Sequence, residues 1–423
     1  MTKEEKIDKL MYFELLRRDF WEFCLYYDKQ FFSNRLFLKK IADGFQKIEK
    51  REINSLSVSM PPRAGKSYIT SLFSAWVLGR NPSESVMRNT CTATLYLKFS
   101  YDVRNIVKTK QFKNVFRKVF LSDTKANLLG WNTNHSKQVG YFGAGVGGTI
   151  IGFGATKLAI TDDLYRGVED ALSDNTNDKI LLWKEATHDS RLEKNCSKID
   201  IGTRWSTNDV IGRNVQEGRY DLSIVIPALN SKDESFCDDV MSTEQYHDIR
   251  SRINPDIWLA EYMQEPVDMK GRLFSNLIKM PKHEFTAFKD KIEGYVGYID
   301  VADQGKDFTA MAIGGIIGED IYVVDYVFTR DNTDVTMPLC AEKLNKWGVK
   351  YCRVESNSMG AMFSRQLNKM TKAQILQVHN TKNKITRIIM ESAFVFNNFN
   401  FIENNTQEYY QFVQNVETFS KEG

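Results

Sequence analysis

Apolar residues recur at helical spacing over residues 4–50, which predicts helices in this region. Two separate apolar faces are visible: the first carries Phe13, Leu16, Phe20, Phe23 and Cys24, and the second Leu38, Ile41, Phe45 and Ile48. Two faces predict two helices, and these lead into a first strand at residues 56–60.

Strand and helix patterns then alternate as far as residue 229. Strands are predicted at residues 86–94, 157–163, 197–202 and 222–229, and helices at residues 68–78, 96–119 and 178–191. The glycine-rich stretch 140–154 allows tight turns between them. Alternating strands and helices predict an α/β unit with a parallel sheet.

The pattern changes in the second half of the chain. The polar stretch 230–256, with the apolar segment 258–263, predicts a small lid subdomain. Strands then follow one another directly, which predicts a mixed sheet; they lie at residues 295–301, 309–317, 320–328 and 350–355. We expect a first domain at residues 1–265, a linker at residues 266–290 and a second domain at residues 291–423.

Composition limits the class of protein. The 423 residues are 42% hydrophobic and 26% charged, which is typical of a globular chain of about two or three domains. The net charge of +3 is too small to indicate nucleic-acid binding without local basic clusters. Six scattered cysteines without a Cys-x-x-Cys pair argue against zinc and favour a reducing cytoplasm. No apolar run reaches the ~18 residues of a membrane span, so we expect no membrane association.

Residues 57–67 have the layout of a phosphate-binding loop between a strand and a helix. Backbone groups of Arg63, Ala64 and Gly65 would surround the phosphates, Lys66 would neutralise them, and the Ser67 hydroxyl would bind Mg²⁺. We expect Lys66 to face solvent in the empty loop. Met60 stands where the usual motif has a glycine, and a Pro-Pro turn before a helix also occurs in unrelated folds.

Two acids end the strand at residues 157–163. Asp162 is predicted to hold Mg²⁺ together with Ser67, and Asp163 to act as the base that polarises water. The alternative is a pair of helix-capping aspartates. Thr203, at the tip of the following strand, is predicted to sense the γ-phosphate of ATP. Arg204 is predicted either to contact phosphate, as a catalytic residue, or to pair with the acids.

A second group of acids lies at strand ends in the last third of the chain. Asp300 and Glu355 end two strands, and Asp303 and Asp307 lie nearby. Clustered carboxylates can hold two Mg²⁺ or Mn²⁺ ions for phosphodiester hydrolysis, with Asp300, Asp307 and Glu355 as the predicted ligands. Acids at strand ends are also common turn formers.

The order of these motifs resembles the large terminase subunit of tailed bacteriophages. The similarity rests on residues 60–67, 159–163, 190–192, 202–205 and 209–213. The resemblance implies an α/β protein with an N-terminal P-loop ATPase of the ASCE type and a C-terminal ribonuclease H-like nuclease. It implies ATP-driven packaging of double-stranded DNA and metal-dependent cutting of concatemers, with ATP, Mg²⁺ and, for the nuclease, Mg²⁺ or Mn²⁺ as cofactors.

The resemblance also implies partners. These are double-stranded DNA, a portal protein and a small terminase subunit, with the chain acting as a ring on the procapsid in the host cytoplasm, although a monomer in solution is compatible with this. Lys382, Lys384 and Arg387 are expected to contact DNA phosphates.

Two positions depart from the family pattern. Ile151 stands where the family commonly has an arginine that acts across subunits. A third metal-binding aspartate is expected after a segment like 412–419, whereas the sequence stops at Gly423. We expect that this aspartate is lost by truncation; the alternative is that Glu391 or Glu403 replaces it.

Two other functions remain open at this point. One is a helicase or repair ATPase whose second domain only binds nucleic acid, and the lack of a second set of motor motifs counts against it. The other is an assembly protein without enzymatic activity, in which the carboxylates are structural.

Overall fold

The computed structural model of the protein describes residues 2–150, 152–266, 274, 277–301, 308–355, 360–379, 384–404, 406–417 and 419. These residues divide into two units. The first holds residues 2–251 and 255–266, and the second holds residues 252–254 and the described residues from 274 onward.

The first unit alternates helices and strands. Its α-helices are α1 (Lys3–Arg18), α2 (Phe20–Tyr27), α3 (Lys29–Ser33), α4 (Phe37–Lys50), α5 (Lys66–Arg80), α6 (Ala93–Lys108), α7 (Lys110–Val115), α8 (Val168–Leu172), α9 (Asp174–Trp183), α10 (Val210–Gln216), α11 (Thr243–Arg252) and α12 (Pro255–Ile257). Its strands are β1 (Ser55–Ser59), β2 (Val86–Thr90), β3 (Leu121–Asn127), β4 (Gly130–Thr133), β5 (Tyr141–Phe142), β6 (Leu158–Asp162), β7 (Ser197–Gly202) and β8 (Leu222–Val225). The π-helices Lys184–His188 and Trp258–Tyr262 and the 3-10 helix Asp189–Arg191 also belong to it.

These strands form one sheet, which among the described residues has the order β3-β4-β5-β2-β6-β7-β1-β8. In the part of the sheet with the order β5-β2-β6-β7-β1-β8, all neighbouring strands are parallel. Strand β4 is antiparallel to both β3 and β5. Every residue of β1, β2 and β6 is buried, as expected when helices cover both faces of a parallel sheet. The register aligns Ser59 with Gly202 and Thr90 with Asp162. The carboxyl ends of these strands therefore meet at one edge.

The N-terminal region differs from the prediction of two helices. Asp19 Oδ1 accepts a hydrogen bond from the Glu22 N–H (3.0 Å), and Asp28 Oδ1 accepts one from the Phe31 N–H (3.1 Å). Such side-chain caps satisfy the free N–H groups of a helix start. The region therefore consists of the shorter helices α1 to α4.

Two other elements also end or begin at residues that differ from the prediction. The strand predicted at residues 86–94 ends at Thr90, because Thr92 caps α6 by accepting from the Leu95 N–H (3.2 Å). The helix predicted at residues 178–191 begins earlier, and its α-helical part ends at Trp183, where a π-helix follows.

The second unit contains β9 (Ile278–Met280), α13 (Lys282–Phe288), β10 (Gly294–Asp300), β11 (Thr309–Ile317), β12 (Asp320–Thr329), α14 (Thr333–Lys346), β13 (Tyr351–Glu355), α15 (Gly360–Leu367), β14 (Gln374–Val378), α16 (Lys384–Asn398), β15 (Phe399–Ile402) and α17 (Gln407–Glu417), with a 3-10 helix at Lys289–Lys291. Its described strands lie in the order β14-β13-β10-β11-β12-β15-β9. The pairs β10–β11 and β11–β12 are antiparallel, and the other pairs are parallel. Gly318, with φ +59°, permits the tight hairpin between β11 and β12.

The predicted fold class is confirmed: the first unit is α/β with a largely parallel sheet, and the second has a mixed sheet. Each unit has its own apolar core. None of the described helices is both long and apolar enough to cross a membrane.

A polar cluster is buried beneath the first sheet around His188, which is 1% exposed. The Asn89 side-chain N–H donates to His188 Nδ1 (2.7 Å), and the Asn89 amide is oriented because its Oδ1 accepts from the Ala144 N–H (2.8 Å). Burial, and then the nearby Lys184 ammonium, lower the pKa of His188 to about 3. The imidazole is therefore neutral in the folded protein.

This buried histidine predicts acid sensitivity. Below about pH 6.5 the unfolded chain takes up a proton at His188 that the folded protein does not, so the folded state is destabilised as the pH falls. We expect this group to lower the free energy of unfolding by about 2 kcal/mol between pH 7 and pH 5. Urea unfolding at both pH values should show this loss in the parent and a smaller one in His188→Gln. An equal loss in the two proteins would contradict the assignment.

Candidate functional site

The loop between β1 and α5 has the geometry of a phosphate-binding loop. Gly65 has φ +98°, and a Cβ there would lie 3.0 Å from the Phe31 ring, so the position requires glycine. Arg63 also has a left-handed backbone, with φ +61°. α5 begins without a side-chain cap, so the N–H groups of its first turn can bind an anion.

Lys66 is buried, with 6% exposure, and the expectation that it faces solvent is wrong. Its ammonium donates to the carbonyl oxygens of Met60 and Pro61 (both 3.2 Å) and to Thr203 Oγ1 (2.8 Å). A buried ammonium must find acceptors, and those of Lys66 belong to its own loop and to the residue that follows β7. The lysine thus links the phosphate loop to Thr203.

The two acids after β6 have different environments. Both side chains of the Asp162–Arg88 ion pair are fully buried, and Arg88 Nε donates to Asp162 Oδ2 (3.1 Å). Burial raises the pKa of Asp162, and the Arg88 guanidinium opposes that rise. Asp162 Oδ1 is buried without a hydrogen-bond partner among the described residues.

Asp163 turns towards the open edge of the sheet. Its backbone has φ +49°, which is uncommon for a residue other than glycine but is tolerated best by Asn and Asp. Asp163 Oδ1 accepts from the Thr203 N–H (3.1 Å), which fixes the carboxylate beside the end of β7.

These groups surround one cavity of about 890 Å³ in the first unit. Its lining includes Arg63, Lys66, Ser67, Asp163, Thr203 and Glu261. Of the predicted nucleotide residues in the loop, all but Ala64 line this cavity, together with Asp163 and the predicted phosphate sensor Thr203. Ala64 and Asp162 are fully buried and do not line it.

Arg204 makes contacts that favour the second of its two predicted roles, pairing with an acid. Its Nε donates to both carboxylate oxygens of Asp209 (3.1 and 3.0 Å), which is a different acid from the two predicted ones. Its backbone N–H donates to Gln264 Oε1 (3.1 Å). These contacts hold the turn after β7 and engage the guanidinium of Arg204 with Asp209.

Sequence reasoning missed two residues of this site. Glu261, in the π-helix Trp258–Tyr262, lines the cavity, and burial raises its pKa while Lys66 opposes that rise. Arg88 holds Asp162. A charged residue in the middle of a predicted buried strand was the available signal for Arg88, because such a charge needs a partner; nothing in the local pattern marks Glu261.

The second unit brings its two predicted acids together. Asp300 ends β10 and Glu355 ends β13, and these parallel strands are aligned so that Ile299 faces Val354. Both acids line a cavity of about 460 Å³ that Arg387 and Glu391 also line. The cavity is otherwise largely apolar and aromatic, with Phe274, Phe328, Ile388, Val395, Phe412 and Phe419 in its wall.

Arg387, one of the predicted phosphate contacts, pairs with an acid. Its Nη2 donates to Glu355 Oε1 (2.9 Å), and Glu355 is 8% exposed, so the guanidinium neutralises a predicted metal ligand. Ile151, Asp303, Asp307 and Lys382 lie outside the described residues, as does the side chain of Lys384.

The donor groups differ in how well they fit divalent metals. In the first unit, Asp162 Oδ1 and the Ser67 hydroxyl are the oxygen donors that Mg²⁺ prefers. In the second, Asp300 and Glu355 can hold one cation, and the described residues contain no group of three or more His, Cys, Asp or Glu arranged to hold a metal. The described acids thus fit one metal position in the second unit.

Comparison with known proteins gives one family match. The model of the ribonuclease H-like domain of the bacteriophage T7 terminase matches residues 299–398. No curated protein matches the chain.

Three solved structures illustrate the structural similarity. The large terminase of a thermophilic bacteriophage, in complex with ADP, has a TM-score of 0.45 at 10% identity, over 89% of this chain and 90% of that chain. The bacteriophage HK97 large terminase has a TM-score of 0.38 at 11% identity, over 85% of this chain and 84% of that chain. The human cytomegalovirus terminase nuclease domain, soaked with Mn and bound to an inhibitor, has a TM-score of 0.26 at 11% identity, over 35% of this chain and 82% of that chain.

The family match covers the strands that carry Asp300 and Glu355 and the helix that carries Arg387. The predicted resemblance to the large terminases of phages is confirmed, with residues 299–398 matching the ribonuclease H-like domain of the bacteriophage T7 terminase.

Proposed function

We propose that this protein is a viral DNA-packaging motor that couples ATP hydrolysis in its first unit to translocation of double-stranded DNA, and that cuts concatemeric DNA with its second unit. The observation that supports this is the presence, in one chain, of a phosphate-loop cavity and of a terminase nuclease domain match. The phosphate-loop cavity supports ATP hydrolysis, and the domain match supports DNA as the substrate.

In the proposed ATPase, the N–H groups at the start of α5 and the Lys66 ammonium bind the phosphates. Lys66 would exchange its carbonyl acceptors in the loop for phosphate oxygens. Ser67 and Asp162 would hold Mg²⁺, which supplies charge neutralisation at the phosphates when bound.

Asp163 is the proposed base, because the Thr203 N–H orients its carboxylate at the cavity. Thr203 also accepts from Lys66, so phosphate binding at the lysine changes the hydrogen bonding of Thr203. The adjacent Arg204 N–H is held by Gln264, three residues beyond Glu261. Thr203 is thereby proposed to report the state of the nucleotide to the segment that leaves the first unit.

In the proposed nuclease, Asp300 and Glu355 would hold a divalent metal, and Asp307 is the proposed acid for the second metal of a two-metal reaction. Arg387 balances part of the charge of Glu355. Lys382, Lys384 and Arg387 are the proposed phosphate contacts, and such contacts give sequence-independent, salt-sensitive binding.

The proposal includes the partners that packaging requires. These are a portal protein, a small terminase subunit and further copies of the chain in a ring on the procapsid, inside the host cell.

The first test of the ATPase is Lys66→Ala. Removing the ammonium removes the charge that stabilises the transferring phosphoryl group, and we expect ATP turnover to fall by at least about 10²-fold. Steady-state phosphate release measures this, with Lys39→Ala, an exposed lysine paired with Asp43, as the matched control. Turnover in Lys66→Ala equal to that of Lys39→Ala would exclude the phosphate-loop assignment.

The second test compares two of the carboxylates that line the cavity, Asp163 and Glu261. Asp163→Asn should keep ADP affinity while slowing single-turnover ATP hydrolysis by about 10²-fold or more, because the base acts only in the chemical step. Glu261→Gln should slow it less. A larger loss in Glu261→Gln than in Asp163→Asn would assign the base to Glu261.

The nuclease test uses plasmid cleavage with Mn²⁺ or Mg²⁺. Asp300→Asn and Glu355→Gln should each abolish cleavage, since each removes a negative metal ligand, and EDTA should abolish it in the parent. The control is Glu319→Gln, at an exposed turn between β11 and β12. Cleavage that survives both site variants would show that the metal is held elsewhere.

A further inference from the structure

Arg88 is a fully buried charged side chain that contacts residues of the phosphate-loop helix. It lies in the middle of β2, and its exposure is 0%. A charge removed from water in this way is costly unless it is paired and hydrogen-bonded. Its partners therefore show what it does.

The guanidinium joins three elements. On β6, Nε donates to Asp162 Oδ2 (3.1 Å), and Nη2 donates to the same oxygen. On α5, Nη1 donates to Ser71 Oγ (2.8 Å), and Nη2 donates to the Ser67 carbonyl oxygen (3.3 Å). On α6, the Phe99 ring lies 3.9 Å from the guanidinium carbon, close enough for a cation–π contact.

These contacts connect the two groups proposed to hold Mg²⁺. Arg88 occupies only the Oδ2 oxygen of Asp162, and Oδ1 is the buried oxygen that has no partner among the described residues. The same guanidinium holds the main chain of Ser67, whose hydroxyl is the other proposed ligand. The planar fork of an arginine can reach all these acceptors at once, whereas a lysine ammonium cannot.

We propose that Arg88 is a positioning residue of the ATPase. It fixes the orientation of the Asp162 carboxylate and its distance from Ser67, so that Asp162 Oδ1 and the Ser67 hydroxyl meet the same divalent cation. This inference rests on the proposed function, since it assumes that Asp162 and Ser67 serve the nucleotide's metal.

The decisive variant is Arg88→Lys, which keeps the positive charge and loses the fork. We expect the half-saturating Mg²⁺ concentration for ATP hydrolysis to rise at least tenfold, with ADP affinity in EDTA within twofold of the parent. Ser71→Ala, a milder change that removes one anchor of the guanidinium, should raise the half-saturating concentration about twofold to fivefold. If Arg88→Lys does not fold, Ser71→Ala decides the question by the same readout.

A matched control separates positioning from stability. Arg80 ends α5, about 20 Å along the helix from Lys66, and pairs with the buried Glu49 (3.3 Å) while its guanidinium carbon lies 5.0 Å from the Trp76 ring. Arg80→Lys should lower Tm without changing the half-saturating Mg²⁺ concentration. An Arg88→Lys variant that behaves in the same way, with lower Tm and parental Mg²⁺ dependence, would overturn the proposal.

Asp162→Asn distinguishes failure of the inference from failure of the metal assignment. If Asp162→Asn raises the half-saturating Mg²⁺ concentration and Arg88→Lys does not, Arg88 has no positioning role and the metal assignment stands. If neither variant changes Mg²⁺ dependence, Asp162 does not serve the metal, and both the inference and that part of the proposed function are wrong.

Discussion

The parallel register of β1, β7, β6 and β2 is the constraint on which the first unit depends. Parallel strands end at the same edge, and this register places the phosphate loop after β1, Asp163 after β6 and Thr203 after β7 around one cavity. Because helices cover both faces, every residue of β1, β2 and β6 is buried. Reactive side chains are therefore confined to the strand ends and to the few buried charged residues that have hydrogen-bonding or ion-pair partners.

Two of these buried charged residues, Lys66 and Arg88, fix the positions of the groups around the cavity. Lys66 is balanced by loop carbonyls and Thr203, and Arg88 by Asp162 and the start of α5. In a medium of low dielectric constant an unpaired charge is expensive, so each pair keeps its partners at fixed positions. In the proposed ATPase, a nucleotide that takes over Lys66 would alter this arrangement, and Lys66 and Thr203 are therefore the proposed link between binding and movement.

The second unit uses strand ends differently. Its sheet is mixed, and only the parallel pair β10 and β13 brings two acids to one edge among the described strands. Arg387 pairs with Glu355, so the site carries less net negative charge than the two acids alone would give it. The match to the terminase nuclease family covers both of these acids and the helix of Arg387, and it is what favours a nuclease over a domain that only binds DNA.

The sequence by itself determined the features that depend on near neighbours. The fold class, the strand–loop–helix order around Gly65 and Lys66, and the positions of Asp162, Asp300 and Glu355 at strand ends follow from local periodicity and turn residues. Only the tertiary structure decided which side chains meet. Arg88 and Asp162 lie 74 positions apart, and Arg387 and Glu355 lie 32 apart. The burial of Lys66, the place of Glu261 in the cavity and the pairing of Arg204 with Asp209 were likewise decided by packing, because a charged side chain takes the partner that the fold brings within reach, and local sequence does not specify that partner.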